Sequence, residues 1–469
     1  MSVLAEKLLN KKYPDKKIKE VWKLILLNQF HDVLPGSAIK EVYEDSKKQY
    51  EKIFVDCKEI TTKHLNGISR HIKTDGGLLV FNSNFANESS AVKINGKTAE
   101  VSDVPSYGWC VVSENDAFKC SVTATESSLE NNYYIVSFDE EGNIYSILDK
   151  RFDREIVKNN CIFNHFRVFE DYPRCYDNWE ISEYYKCKSW DLGTVERVEP
   201  VKDGSRVGMK IVRKYLKSEC VQIVWLYSKL DRIDFETEID WHEQHQLLKV
   251  FFPINVHANK AVYDIQFGNV ERPTHQNTSW DSAKFEVCGH KWADLSDGNY
   301  GVSLMNDCKY GYSCIGSDLS LTLIKCGTYP NTVADQGKHK FTYSILPHSG
   351  DFRNITVPRS YVLNKPFDAV KLKKQEGDLP DNFSFVWADK ANVIIETIKS
   401  AETGNGIIIR VFDCGDISGN VNLNFGINIK KAYLCDMLEN EISELTIKNN
   451  SISLKLKNYE IITIKISNL

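Results

Sequence analysis

The sequence has no Cys-x-x-Cys pair, no apolar run approaching 18 residues and no block of like charge. The first absence leaves the cysteines to be read as reduced thiols, and the second argues against a membrane-spanning helix. With 59 basic and 64 acidic residues dispersed along 469, net charge −5, neither a nucleic-acid partner nor an acidic membrane surface is expected. The opening Met-Ser-Val-Leu-Ala-Glu-Lys lacks the apolar core of an export signal. Thirteen cysteines, an odd number in a long chain, are therefore read as reduced thiols of a cytoplasmic protein. Five Asn-x-Ser/Thr matches (Asn87, Asn277, Asn354, Asn382, Asn449) are what an Asn-rich chain produces by chance. There is no internal repeat and no low-complexity tract.

What is present changes character once. From Lys16 to Gln29, Ile18, Val21, Trp22, Ile25 and Leu26 recur at helical spacing, and Leu24 and Leu27 widen the stripe. This helix is expected to be buried on more than one side. Pro35-Gly36 interrupts the pattern, and Ser37 is expected to cap a second helix of about 28 residues running to Gly67. Two helices alone cannot cover such stripes, so packing partners, including another copy of the chain, are implied. After Asp75-Gly76-Gly77 the period becomes 2. Ala91–Ile94 with Asn95-Gly96, and Tyr133–Phe138 with Glu141-Gly142-Asn143, are hairpin signals.

Arg232–Trp241 alternates strictly and predicts a strand with one buried and one wet face. Further strands are expected at 221–226, 247–252, 319–324, 341–346, 406–412 and 452–466. Such a run of strands without intervening helices predicts a mainly β protein of stacked antiparallel sheets. At 469 residues two to four domains are expected, with boundaries at 1–70, 76–125, 126–365 and 384–469. The stretch 366–383, rich in Lys, Asp and Gly, reads as a linker.

Three segments have the residue types for chemistry. Phe30-His31-Asp32-Val33-Leu34-Pro35-Gly36-Ser37 puts an imidazole beside a carboxylate at a helix junction. Such a pair can contribute to a Zn²⁺ site, or simply cap a loop. A zinc site needs three or four donors, and no second contributor is evident. His242 and His245, three apart, would point to opposite faces if the strand continued through them. Residues 169–180 place Glu170, Asp171, Arg174, Asp177 and Glu180 among Tyr172, Tyr176 and Trp179. Carboxylates for vicinal hydroxyls and rings for the apolar sugar face would make a glycan site, and two carboxylates about 5–5.5 Å apart a retaining glycosidase. The same composition describes an ordinary loop with Arg174 paired to an acid. Residues 267–280, with Glu271, Arg272 and His275, are either a third polar cluster or strand-end caps.

Together these segments resemble the cytosolic-type α-mannosidases of glycoside hydrolase family 38. The likeness rests on WKLILLNQFHDVLPGSAIKEVY (22–43), LENNYYIVSFDEEGNIYSILDK (129–150), FEDYPRCYDNWEI (169–181), DWHEQHQLLKVFFPI (240–254), FGNVERPTHQNTSWD (267–281) and DLSDGNYGVSLMNDCKYGYS (294–313), and runs in order from about residue 4 to 466. It implies an N-terminal (β/α) barrel, a three-helix bundle, a supersandwich of the galactose-mutarotase type and a small C-terminal β domain. It also implies zinc-dependent, retaining hydrolysis of terminal α-mannosides on oligosaccharides. By that resemblance His31 is one of four zinc ligands, Asp32 binds substrate hydroxyls beside the metal, and Asp171, Arg174, Asp177 and Arg272 lean over the sugar. The nucleophile, the acid/base and the other zinc ligands belong to the barrel, which no residue here matches. The chain alone is thus expected to be inactive without a barrel in the same protein or a separate chain. Two alternatives stay open: a non-catalytic carbohydrate-binding or scaffolding β protein, and a hydrolase or mutarotase working with Glu170, Asp171 or Asp177.

Overall fold

The computed structural model describes residues 1–415 and 418–467. It opens with three helices: α1 (Ser2–Leu9), α2 (Asp15–Asn28) and α3 (Lys40–Ser69). α1 precedes anything the periodicity indicated; Val3, Leu4 and Ala5 are buried, too few residues to establish a repeat. Ser37 is not the cap of α3. Ile39 occupies that position without a side-chain cap, and Ser37 Oγ instead reaches the Asp32 carbonyl at 3.5 Å. The expectation for α2 is also reversed within this chain: only Val21 and Asn28 are buried, while Trp22, Leu26 and Leu27 are each more than half exposed. α3 buries mainly its last third, through His64, Leu65, Ile68 and Ser69.

The remainder is mainly antiparallel β. A nine-stranded and a six-stranded sheet face each other, and a five-stranded sheet from residues 123–155 joins the same core. Across it Phe235 and Tyr343 of the large sheet lie 6.2 and 5.7 Å from the ring of Phe252 in the smaller, the interdigitation that makes a sandwich core. Both predicted hairpins form: Glu88–Ile94 pairs with Lys97–Val104, and Tyr134–Phe138 with Ile144–Asp149. At Asn95-Gly96 both residues have positive φ, 50° and 81°, as a two-residue type I′ turn requires.

Three strand expectations need correction. In Ile233–Trp241 the apolar face is buried as expected, but Asp234 is buried too. Arg232 Nε (2.9 Å), the Tyr227 hydroxyl (2.7 Å) and Ser344 Oγ (2.5 Å) surround it, so part of the polar face is covered. The stretch 452–466 is two strands in different sheets, Ser451–Leu456 and Ile461–Ser467, separated by a turn in which Tyr459 has φ 56°. The proposed linker contains a strand as well. Asp368–Gln375 pairs along Thr74–Asn82 from Thr74↔Gln375 to Phe81↔Asp368, and Asn382–Ser384 closes the other edge of the same four-stranded sheet against Gly108–Val112. An edge strand is half wet and carries charge without the alternation of a buried one.

All thirteen cysteines are unbonded. No helix among the described residues is long and apolar enough to cross a membrane.

Candidate functional site

The loop after strand His165–Glu170 turns back on the end of the sandwich. Asp171 donates its backbone N–H to the His245 carbonyl (2.8 Å), and its carboxylate Oδ2 accepts from Lys325 Nζ at 2.6 Å. Asp171 is only 1% exposed. Burial pushes its carboxyl above the ordinary value, with Lys325 opposing; Oδ1 is buried without a hydrogen-bond partner.

Asp177 is held differently. Its carboxylate accepts the backbone N–H of Tyr329 (2.7 Å) and of Thr328 (2.8 Å), and the Thr328 hydroxyl (3.3 Å). Burial alone would raise its carboxyl, but these donors outweigh it and hold the group below its usual range. Lys325 Nζ also donates to the Asp177 carbonyl, so one ammonium ties the start of the loop to its middle. His245 completes the floor. Its ring lies 4.3 Å from that of Tyr172, and Nδ1 is 3.2 Å from Asp177 Oδ2, within ion-pair range but not aligned as a hydrogen bond.

The two histidines singled out in the sequence are therefore not on a strand. The strand ends at Trp241 and the next begins at Gln246. In the turn between them His242 lies 2.9 Å from Asp240, while His245, at φ 54°, faces Asp177.

Above this floor the loop is exposed. Tyr172, Tyr176 and Trp179 stand out to solvent with Tyr329, whose ring is 5.2 Å from that of Tyr176. Arg174 is exposed and forms no ion pair among the described residues.

The helix-junction loop meets this cluster. Gly36, at φ 82°, packs against it: a Cβ there would stand in ordinary contact, 3.8 Å, with the Asn178 carbonyl. Asn178 is anchored by its N–H on the Tyr329 carbonyl (3.1 Å) and by Nδ2 on the Asn331 carbonyl (2.9 Å). His31 and Asp32 thus sit on the same junction as Asp171–Asn178. His31 is exposed, its side chain 76% accessible, with its ring 4.3 Å from Phe30 and Nε2 3.7 Å from Asp32 Oδ2.

As metal donors these two are a partial set. No group of three or more His, Cys, Asp or Glu able to hold a metal ion occurs among the described residues, against the three or four protein ligands a zinc site uses. His31 fits as one accessible donor and does not make a zinc site by itself.

Arg272 lies elsewhere in the sandwich, on edge strand Gly268–Pro273. Its guanidinium sits 4.7 Å over the ring of Tyr263, and Nη1 is buried without an acceptor. No hydrogen bond or ion pair joins it to the 171–178 loop among the described residues.

Sequence reasoning missed Lys325 and Thr328, and noticed His245 without giving it a place in this loop. Lys325 lies next to last in strand Asp318–Cys326 and Thr328 follows that strand, positions whose local pattern gives no sign of partners about 150 residues earlier.

The fold defines a helical hairpin mounted on a multi-sheet antiparallel β body, with a polar, aromatic-rimmed loop cluster where they meet. Three family descriptions match in chain order: "Alpha mannosidase middle domain" over residues 1–68, "Glycosyl hydrolases family 38 C-terminal domain" over 129–332 and "Glycosyl hydrolases family 38 C-terminal beta sandwich domain" over 392–464. Alpha-mannosidase 2C1 of Homo sapiens is 30% identical over 475 residues, covering 96% of this chain and 46% of that protein. Alpha-mannosidase of Saccharomyces cerevisiae is 30% identical over 495 residues, covering 97% and 44%. The chain spans a little under half the length of these relatives. A crystal structure of an alpha-mannosidase from Enterococcus faecalis V583 superposes with TM-score 0.81 at 16% identity, covering 99% of this chain and 65% of that one; at that identity it shows the fold. The chain belongs to glycosyl hydrolase family 38, of which it carries the middle and C-terminal regions.

Proposed function

We propose that this chain forms the middle and C-terminal part of a zinc-dependent, retaining α-mannosidase acting on terminal α-mannosides of oligosaccharides in the cytoplasm. The observation that carries the reading is the seating of the His31–Asp32 loop on the Asp177–Asn178 loop, which joins the two polar clusters at one junction. The relatives that share 30% identity along this chain are named alpha-mannosidases. The unbonded cysteines accord with a reducing compartment.

In this reading His31 is one zinc ligand, and the remaining donors come from a barrel domain or chain outside these residues. Bound there, zinc supplies a Lewis-acid contact for sugar hydroxyls. Asp32 and the exposed Arg174 offer an acceptor and a donor to those hydroxyls, whereas Arg272, held over Tyr263 elsewhere in the sandwich, is given no contact with them. Asp171 and Asp177 are positioning residues. Their oxygens are engaged by Lys325, Thr328 and Tyr329, or buried, so they set the height of Tyr172 and Arg174 above the floor. The nucleophile and general acid of a retaining glycosidase are two free carboxylates facing the scissile bond. In this proposal they are supplied by the barrel. The exposed Trp22, Leu26, Phe30 and Leu34 beside the junction are the apolar surface it covers; a second copy of this chain is the other occupant to test.

The test is hydrolysis of 4-nitrophenyl α-mannoside by the chain alone and after assembly with the barrel of a family member. The chain alone is expected to be inert. In the assembled enzyme His31→Ala is expected to lower bound zinc, measured by elemental analysis, and to reduce kcat/KM by about 100-fold. Unchanged zinc and rate would overturn the assignment. Turnover by the chain alone, abolished in Asp171→Asn, would instead place catalysis within these residues, and mannoside binding that needs neither zinc nor barrel would favour a carbohydrate-binding β protein.

A further inference from the structure

Lys249 lies in the middle of strand Gln246–Pro253, on the outer face of the six-stranded sheet, opposite the face on which Leu248, Val250 and Phe252 join the sandwich core. An outward lysine is ordinarily wet. This one is 0% exposed. It is covered by Tyr185, whose ring centre is 5.6 Å from Nζ, and by Glu286, from the segment that crosses between the two sheets after Pro273 and before Val287. Glu286 Oε2 pairs with Lys249 Nζ, Glu286 Oε1 accepts the Thr322 hydroxyl, and Lys249 Nζ also donates to Ser313 Oγ at 3.4 Å. Gly311 leaves room for this arrangement: a Cβ there would stand 2.9 Å from Glu286 Oε1. Glu286 is the only ion-pair partner of Lys249 among the described residues.

The crossing segment has little else to hold it. From His275 to Lys284 it makes no hydrogen bond or ion pair with the rest of the chain among the described residues; its bonds are internal, such as Thr278 Oγ1 to Asp281 Oδ2 at 2.8 Å. Its seating therefore falls to Thr274 at one end, whose hydroxyl donates to the Ala258 carbonyl (2.7 Å), and to Phe285 and Glu286 at the other. A buried ion pair need be no more stabilising than a well-packed apolar pair, but displacing one partner leaves a buried charge uncompensated. One seating of Glu286 is thereby strongly preferred.

That seating reaches the loop cluster. Phe285 lies 6.1 Å from the ring of Tyr185, which meets Phe169 edge-on at 5.1 Å. Phe169, Tyr185 and Leu247 form one buried cluster, against which Phe285 and Ile181 pack. Tyr185 belongs to the short helical turn Glu183–Cys187, at the far end of the loop that begins at Asp171. Burial pushes the Tyr185 hydroxyl up, and the charges of Glu286 and Asp171 act in the same direction, as for a ring placed between the two carboxylates. The loop is held at its start by Lys325 on Asp171 and at its end by Tyr185 on the Lys249–Glu286 pair.

We propose that Lys249 and Glu286 are positioning residues for the sugar-facing loop: their pairing seats Phe285 against Tyr185 and so fixes the loop that carries Tyr172, Arg174 and Trp179. This role rests on the function proposed above, in which that loop meets the mannoside. Lys249 has no surface to offer a sugar, so the pair acts through Tyr185. A loop that contacts non-reacting parts of the sugar supports ground state and transition state equally, so loosening it raises KM and leaves kcat unchanged.

The test is hydrogen–deuterium exchange of the 469-residue chain, read by mass spectrometry, with Glu286→Gln and with Phe285→Ala. In each variant the peptides covering the hydrogen-bonded amides of Asn178, Trp179 and Tyr185 are expected to exchange at least about tenfold faster, with the Glu88–Val104 hairpin at its wild-type rate. The double variant Lys249→Met with Glu286→Gln leaves no charge unpaired and takes the place of Glu286→Gln if that chain does not fold, with the same expectation. In the enzyme assembled with a barrel these variants are expected to raise KM for 4-nitrophenyl α-mannoside about fivefold, with kcat within about twofold and bound zinc unchanged. Unaltered loop exchange, equal acceleration in the hairpin, or a lower kcat at constant KM would each overturn the proposal. An assembled wild-type enzyme without turnover would overturn the hydrolytic function instead, and exchange in the chain alone would still decide whether the pair fixes the loop.

Discussion

At the scale of single residues the loop cluster is set by one carboxylate with three donors. Asp177 is stabilised as an anion by Thr328 and Tyr329, so its folded-state pKa lies below the unfolded value. The stabilisation is complete above the unfolded pKa of about 4 and is lost as pH falls through the lower folded value. Asp177→Asn keeps the shape and removes the charge. It is expected to lower the unfolding free energy by about 2 kcal/mol at pH 7, the range for hydrogen bonds to an ionised group, and the gap from wild type should narrow below about pH 4. Urea denaturation at both pH values checks this; a difference independent of pH would show that the charge contributes nothing. That Asp171, Arg174 and Asp177 share one loop is visible in the sequence. That Lys325 ties two of the loop's residues together is not, because the contact spans about 150 residues and leaves no local period.

At the scale of elements, hairpins were readable where a turn demanded particular residues, as at Asn95-Gly96, and buried strands where alternation was strong, as in Ile233–Trp241. Edge strands gave no such signal. Asp368–Gln375 carries the exposed Lys371, Lys373 and Lys374 and buries only Leu372, so its composition matches a linker although its backbone is paired from Asp368 to Gln375. Pairing has a consequence for proteolysis, which needs a segment free to enter a protease. Limited trypsin digestion is expected to spare Lys371, Lys373 and Lys374 under native conditions while cutting exposed turns first; rapid cleavage there, read by mass spectrometry, would contradict the paired strand. Asp234 shows the complementary limit. A charged residue on the nominally wet face of a strand was buried because Arg232, Tyr227 and Ser344 supplied partners that alternation cannot report.

At the scale of the whole molecule the sandwich and the C-terminal sheets have their own cores, whereas α2 presents Trp22, Leu26 and Leu27 outward beside Phe30 and Leu34. The helical period was legible, but the side on which a helix finds its cover depends on elements far away in the assembly. The isolated chain is therefore expected to bind the dye 8-anilinonaphthalene-1-sulfonate, and the double substitution Trp22→Glu with Leu26→Glu to remove most of that fluorescence while changing stability by no more than about 1 kcal/mol. Equal fluorescence in the variant would place the apolar surface elsewhere.

The route of the chain through its smallest sheet also bears on how the molecule carries load. Strand Thr74–Asn82 lies between Gly108–Val112 and Asp368–Gln375, so the polypeptide departs for the sandwich and comes back from it on strands about 10 Å apart. Thr74 and Gln375 are partners at one end of their pair. Tension applied between the helices and the C-terminal sheets would first have to release the pairing of Asn382–Ser384 with Gly108–Val112 and the Ile72–Leu379 bridge, and would then unzip this pair bond by bond from Thr74 and Gln375, while the large sandwich stays slack until the last pair, Phe81 with Asp368, has opened.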